Sequence, residues 1–137
     1  MNQLTLIEND IPAGVYRSLR AETGLSPKTL EAAEKGLQHS VYSLLVKAGE
    51  KPIGMGRIIG DGGCHCQVVD ICVLPEYQGR GIGKLIMEKI VNFIDTELPE
   101  SCYISLIADG DAHHLYRKFG FKEVMPESRG MYYRVNN

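Results

Sequence analysis

The chain has 137 residues, of which 44% are hydrophobic and 23% charged, so we expect a single globular domain over residues 1–137 with a real core. A net charge of −2 and a pI near 6.1 argue against a nucleic-acid-binding surface. No apolar run approaches the ~20 residues of a membrane span, and the N-terminus lacks the basic and apolar regions of a signal peptide, so we expect a cytoplasmic protein with no membrane partner.

The first 61 residues predict a strand, two helices and a hairpin. Gly24 is a plausible helix stop, and Ser26-Pro27 offers an N-cap followed by proline at the first helical position. The turn Gly49-Glu50-Lys51 separates the two arms of the hairpin, and the second arm carries Arg57 on a face that we expect to be exposed. The predicted elements are a strand over 3–8, helices over 12–22 and from 27 to about 38, and strands over 41–48 and 52–61.

The second half of the chain alternates strands and helices. Isoleucine and leucine residues recur at helical spacing after the glycine-rich segment that begins at Gly79, and Gly120 ends a second, shorter helix. The predicted elements are strands over 66–74 and 102–108, helices over 81–96 and 111–119, and short strands over 121–124 and 131–135. This order predicts an α+β fold with a mostly antiparallel sheet and one β-α-β unit.

The glycine-rich segment is the strongest functional signal in the sequence. Gly79, Gly81 and Gly83 stand at alternate positions, where the lack of side chains lets several backbone N–H groups point at one anion. The helix that follows adds the positive end of its dipole, and Arg80 and Lys84 add full charges. The segment predicts phosphate binding, although an ordinary glycine-rich turn would have the same composition.

Two common phosphate-binding motifs do not fit this segment. A Walker A loop requires glycine where Gln78 stands and serine or threonine where Leu85 stands. A dinucleotide fingerprint requires its third glycine at the position of Lys84. A nucleoside triphosphatase and a Rossmann dehydrogenase are therefore disfavoured.

What does fit is Gln-x-x-Gly-x-Gly, formed by Gln78, Gly81 and Gly83, which resembles the pyrophosphate-binding signature of the GNAT superfamily of acyl-CoA-dependent N-acetyltransferases. The segment from Ala112 to Phe121 looks like the A-x-x-L-Y-x-K-x-G-F helix of the same family. The resemblance implies a GNAT-like fold and an N-acetyltransferase that moves an acetyl group from acetyl-CoA to a primary amine, in a ternary complex and by direct attack. We expect the acceptor to be a small molecule, although no residue of the sequence chooses between a small amine, an amino acid, an aminoglycoside and a protein lysine; a homodimer is the family habit. The alternative is a non-catalytic acyl-CoA-binding sensor.

The resemblance also implies roles for particular residues. Tyr116 takes the position of the general acid that protonates the leaving thiolate, or else it is a core tyrosine. Asp109 stands where the family often has an asparagine on the pantetheine arm, and helix capping explains it equally well. Backbone N–H groups at three positions face the thioester, and seven further residues hold the CoA phosphates: Ile71, Cys72 and Val73 in the first set, and Gln78, Gly79, Arg80, Gly81, Ile82, Gly83 and Lys84 in the second.

Asp70 interrupts an apolar run where an acid has no obvious packing reason to be. An attacking amine must be neutral, which costs about 4–5 kcal/mol at pH 7 for a pKa of about 10.4. Asp70 is therefore the candidate base, or an anchor for a cationic substrate; a solvated or arginine-paired acid is an equal alternative. Some family members carry a glutamate further back in this strand, where this chain has Gln67.

The four cysteines are better explained as reduced thiols than as a metal site. Cys64-His65-Cys66 is more tightly spaced than the first ligand pair of a structural zinc site, and no second pair of matching spacing exists. In the absence of an export signal we expect no disulfides and no bound metal.

Overall fold

The computed structural model describes residues 3–135, and the chain divides into two compact units, Met1–Leu106 and Ile107–Asn137. The elements are β1 (Leu4–Glu8), α1 (Ala13–Thr23), α2 (Leu30–Leu37), β2 (Tyr42–Ala48), β3 (Lys51–Gly60), β4 (His65–Val73), α3 (Ile82–Glu97), β5 (Tyr103–Leu106) and α4 (His113–Arg117). All of them except α4 belong to the first unit. The α+β class predicted from the sequence is confirmed.

The first unit is built on a five-stranded sheet with the strands in chain order. Its first three pairings are antiparallel, and β4 and β5 are parallel because α3 connects them. The parallel pairing runs from His65–Tyr103 to Val68–Leu106, while β4 continues to Val73. Over residues 3–135, the last five residues of β4 therefore have no strand beside them on the β5 side.

Helices α1 and α3 cover opposite faces of this sheet. A Cβ atom added at Gly56 would meet Ile86 and Ile90 of α3, whereas the next residue of β3, Arg57, contacts Tyr16 of α1. Since adjacent strand residues point to opposite faces, the two helices lie on either side. The buried side chains are dominated by aliphatic residues from the middle strands and from both helices: Leu19, Leu44, Leu45, Val46, Ile53, Met55, Ile58, Leu74, Ile86, Met87 and Ile90.

The second helix begins later than the sequence predicts. Gly24 does end α1, in the left-handed conformation with φ 81°, as expected. However, α2 starts at Leu30, and its N-cap is Thr29, whose hydroxyl accepts a hydrogen bond from Ala32 N at 3.1 Å. Ser26 does not cap because its carbonyl and hydroxyl oxygens both accept hydrogen bonds from the Arg20 side chain.

The second unit contains one short helix, α4, among its described residues 107–135. The strands predicted over 121–124 and 131–135 are wrong: neither segment is a strand, and Met131, Tyr132 and Tyr133 are exposed. A short segment with apolar and aromatic residues is not sufficient for a strand, because a strand exists only through hydrogen bonds to a partner.

Candidate active site

The segment between β4 and α3 has the backbone of an anion-binding loop. After a 3₁₀ turn over Pro75–Tyr77, Gly79 and Gly81 both adopt positive φ, at 78° and 82°, a conformation that glycine reaches without steric cost. Gly81 is the N-cap of α3, so the N–H groups of the first helical turn have no intrahelical acceptor. That turn contains no acidic residue, and Lys84 is its one cation. The end of α3 is therefore electropositive and open to a phosphate.

Two side chains shape this loop. The amide nitrogen of Gln78 donates to the carbonyl of Val73 at 3.1 Å, which fastens the loop back onto the end of β4. The guanidinium of Arg80 lies 5.2 Å from the ring centroid of Tyr77. Gln78 therefore holds the loop against the end of β4, and the Arg80 side chain is exposed next to the N-terminus of α3.

Strand β4 carries a bulge that the sequence did not reveal. Between the pairs Arg57–Val69 and Met55–Cys72, β3 contributes only Gly56, whereas β4 contributes both Asp70 and Ile71. Asp70 has φ 61°, in the left-handed region that side-chain-bearing residues seldom adopt. The bulge lies within the part of β4 that extends past the end of β5, and the predicted donors at positions 71–73 begin within it, at Ile71.

The thiol of Cys72 is not suited to nucleophilic attack. Its side chain is buried, and burial raises the pKa of the Cys72 thiol to about 11. The thiol therefore stays protonated at neutral pH, whereas a covalent acyl carrier would need a thiolate.

Asp70 lies in a buried polar cluster rather than in solvent. Its Oδ2 accepts hydrogen bonds from Arg57 Nη1 at 2.8 Å and from Tyr16 Oη at 2.9 Å, and its Oδ1 is paired with Arg20 Nη1. The side chains of Asp70, Arg20 and Arg57 are only 8%, 7% and 7% exposed. Arg57 is thus buried, and its predicted place on an exposed face is wrong because it faces this carboxylate.

The cluster was missed because its members come from distant parts of the chain. Tyr16 and Arg20 are on α1 and lie 54 and 50 residues before Asp70. One signal was available: Tyr16 and Arg20 are four residues apart and share a helix face with Leu19. Burial, followed by the charge of Asp70, raises the pKa of Tyr16, which remains a neutral hydrogen-bond donor.

In the second unit, the charge of Asp109 acts on the phenol of Tyr116. Burial raises the pKa of the Tyr116 phenol, and the charge of Asp109 raises it further. Asp109 does not cap α4: the N-cap is Ala112, whose N–H bonds to the backbone carbonyl of Asp109. No side-chain hydrogen bond caps α4, so the predicted capping role of the exposed Asp109 is wrong.

Two further features bear on the class of site. Among residues 3–135, no group of three or more histidine, cysteine or acidic side chains is arranged to hold a metal ion. No helix in the same range has the length and apolarity to cross a membrane.

The site combines a mixed sheet, a bulged strand whose end has no strand on its β5 side among the described residues, and an anion-binding loop after it, and comparison with known proteins gives the family. Residues 39–123, more than half of the chain, match the model of the acetyltransferase (GNAT) domain. The chain belongs to the GNAT family.

Solved structures agree with this assignment. A crystal structure of a Staphylococcus aureus protein of unknown function, a probable acetyltransferase, superimposes with a TM-score of 0.91 at 48% identity, over 97% of this chain and 100% of that one. A GNAT-family protein from Streptococcus pneumoniae shares the fold with a TM-score of 0.81 at 24% identity, over 98% and 100% of the two chains.

Curated relatives are more distant and longer. The rice serotonin N-acetyltransferase 2, chloroplastic, is 29% identical over 90% of this chain and 64% of its own length. The Arabidopsis thaliana GCN5-related N-acetyltransferase 2, chloroplastic, is 37% identical over 61% of this chain and 32% of its own. The chain thus spans from about a third to two thirds of the length of the relatives it matches.

Proposed function

We propose that the chain is an N-acetyltransferase that moves an acetyl group from acetyl-CoA to the primary amine of a small molecule, by direct attack in a ternary complex. The observation that carries this proposal is the sequence of features along one segment: a bulged strand end that no described strand covers on its β5 side, a loop with two left-handed glycines, and an unblocked helix N-terminus. Membership in the GNAT family supports it.

The loop residues account for binding of the CoA phosphates. The backbone N–H groups from Gly79 to Lys84 supply donors, and the dipole of α3 with the charges of Arg80 and Lys84 supplies the attraction. Gln78 and Ile82 support this arrangement, Gln78 by its bond to Val73 and Ile82 by its burial in the core. In the second unit, Asp109 is the residue we assign to the pantetheine arm.

The bulge supplies donors for the charge that develops during transfer. Ile71, Cys72 and Val73 lie on the part of β4 beyond the end of β5, so among the described residues no strand lies on that side of them, while Cys72 and Val73 stay paired with Met55 and Gly54 of β3 on the other side. A fixed N–H that points at a developing oxyanion stabilises the transition state without reorganisation. The protonated Cys72 thiol favours direct transfer over an acyl-enzyme.

Tyr116 is the proton donor in this proposal. When the amine has attacked, the departing CoA sulfur needs a proton, and a phenol with a raised pKa carries one throughout the neutral range. The proton of the amine must leave as well. Asp70 lies in the bulge itself, but its oxygens already accept hydrogen bonds from Arg20, Arg57 and Tyr16, which favours a chain of water molecules as the acceptor.

The related proteins indicate which classes of acceptor amine the family uses. The relatives' names include a serotonin N-acetyltransferase, and a structural neighbour that is 14% identical is a ribosomal-protein-S18-alanine N-acetyltransferase from Escherichia coli. Family membership therefore admits small amines and proteins, and we favour a small primary amine.

The test is an acetyl-transfer assay with mass-spectrometric detection. Purified protein is incubated with acetyl-CoA and single amines from a panel of polyamines, arylalkylamines, amino acids, aminoglycosides and lysine peptides, with a no-amine blank for hydrolysis. We expect an acetylated product from at least one small amine. If acetyl-CoA binds in calorimetry but no amine is acetylated, the catalytic proposal fails in favour of an acyl-CoA sensor.

A further inference from the structure

The backbone at Asp70 needs something to hold it in place. A residue with a side chain at φ 61° is strained relative to the extended conformation, and such residues persist only where their surroundings fix them. Asp70 is also one of the two residues that β4 inserts opposite Gly56. Whatever holds Asp70 therefore also sets the geometry of the bulge.

The surroundings of Asp70 are two buried guanidinium groups. Arg20 from α1 pairs with Oδ1, and Arg57 from β3 pairs with Oδ2 at 2.8 Å. With all three side chains less than a tenth exposed, each charge depends on the others for its stabilisation. The carboxylate is thus clamped from both sides.

The remaining N–H donors of Arg20 and Arg57 bond to α2 and to the segments on either side of it. Arg20 Nε and Nη2 donate to the carbonyl and hydroxyl oxygens of Ser26, in the loop between α1 and α2, at 2.7 and 3.0 Å. Arg57 Nη2 donates to the carbonyl of Gly36, in the last turn of α2, at 3.1 Å, and its Nε donates to Ser40 Oγ at 2.9 Å. A cation at the C-terminal end of α2 is favoured by the helix dipole.

We propose that Asp70 is a positioning residue: together with Arg20 and Arg57 it locks the β4 bulge to α1 and α2, and thereby sets the direction of the N–H groups at positions 71–73. The inference rests on the acetyl-transfer function proposed above. It replaces the role of Asp70 as general base, because both of its oxygens are committed to the clamp.

The test removes the carboxylate without disturbing the backbone. Asp70→Gly suits φ 61°, since glycine adopts that conformation freely, and it leaves a small anion-sized gap between the guanidinium groups. We expect kcat for acetyl transfer to fall by about 10–100-fold, the cost of slightly misplaced donors. Added nitrate should then restore a large part of kcat, since nitrate is planar, anionic and small enough to bridge two guanidinium groups.

Nitrate and formate separate the two possible roles of Asp70. Formate resembles the lost carboxylate and is basic enough to accept a proton, whereas nitrate has almost no basicity. Equal restoration by both anions supports positioning. Restoration by formate alone overturns the proposal in favour of a base. Asp70→Gly that keeps wild-type kcat, or that stays folded but is restored by neither anion, also overturns it.

Controls separate the effect of the lost carboxylate from effects of the added salts, from misfolding and from a lack of activity in the wild type. The wild type is assayed in the same salts, and Glu100→Gly removes an exposed carboxylate in the turn after α3, so its activity should not respond to nitrate. If Asp70→Gly does not fold, Asp70→Asn takes its place: a pH–rate profile of unchanged shape at lower kcat supports positioning, and loss of one limb overturns it. If the wild type itself makes no product, the function proposed above has failed, and not this inference.

Discussion

Tyr116 carries the most direct prediction about the reaction. If its hydroxyl protonates the leaving thiolate, Tyr116→Phe should lower kcat by about tenfold or more, because only the proton is lost while the ring is kept. The Kd for acetyl-CoA, measured by calorimetry, should stay nearly constant. Tyr103→Phe, at a residue 56% exposed on β5, is the matched control and should keep full activity. An unchanged kcat in Tyr116→Phe would remove the acid role.

The pH dependence of kcat gives a second test of Tyr116 as the general acid. The pKa of Tyr116 is raised, by burial first and by Asp109 second, so the phenol remains a donor above the pH at which a free tyrosine ionises. The alkaline decline in kcat should therefore begin above the ordinary range of tyrosine. Asp109→Asn removes the smaller of the two causes and should shift that decline to lower pH.

Gly81 tests the phosphate loop. Alanine at φ 82° costs roughly 1–2 kcal/mol of backbone strain, although no atom lies within 4 Å to obstruct its Cβ. Gly81→Ala should therefore weaken acetyl-CoA binding, measured as a higher Kd, by twisting the N–H groups at the start of α3. Gly14→Ala is the control: Gly14 is exposed in α1 with open space around it, so the protein should gain about 0.4–1 kcal/mol and bind acetyl-CoA unchanged. An equal Kd for Gly81→Ala would refute anion binding by this loop.

At the scale of elements, α3 sits close to the sheet because β3 has glycine beneath it. A Cβ atom at Gly56 would lie 2.6 Å from Ile71 Cδ1 and 2.9 Å from Ile86 Cγ2 and Ile90 Cδ1. Gly56→Ala should cost about 1–3 kcal/mol, as overpacked cores do, measured by urea unfolding. Gly36→Ala, in α2 with no atom within 4 Å, should not be destabilising. If both variants unfold at the wild-type midpoint, α3 does not pack as tightly as these distances require.

Strands and helices could be predicted from the sequence where their signal lies within one short segment of the chain. The strand before the glycine loop and the amphipathic helix after it follow from periodicity and from the conformational freedom of Gly79 and Gly81, and the structure has both. The bulge at Asp70 was not predictable, because an acid that interrupts an apolar run does not reveal whether the strand carries an inserted residue there. The arginine clamp depends on α1 packing over β4, a contact across 50 residues that no local pattern contains.

The same limit explains the two errors in the helical and C-terminal regions. Ser26 has the side chain of an N-cap, but Arg20 uses its oxygens, and Thr29 caps α2 instead. Residues 131–135 carry the aromatic and aliphatic side chains typical of a strand and form none. In each case a tertiary partner, or the lack of a hydrogen-bonding strand, overrides a sound local signal.

At the scale of the whole molecule, all four cysteines lie in the first unit, which has the five-stranded sheet. Cys66 and Cys72 are buried near the two ends of β4, whereas Cys64 is exposed. Iodoacetamide should therefore modify Cys64 first in the native protein. The buried Cys66 and Cys72 should react slowest, and Cys72, with a pKa of about 11, is in addition almost entirely protonated at pH 8.

Unfolding in urea tests whether the two ends of β4 open in one cooperative step. If the first unit unfolds cooperatively, Cys66 and Cys72 should become reactive at the same urea midpoint as the loss of circular dichroism, with each site quantified by peptide mass spectrometry. Earlier labelling of Cys72 alone would mean that the bulged end of β4 opens locally while its paired end stays closed. That outcome would contradict a bulge clamped by Arg20 and Arg57, since both bonds to Asp70 would have to break before the sheet does.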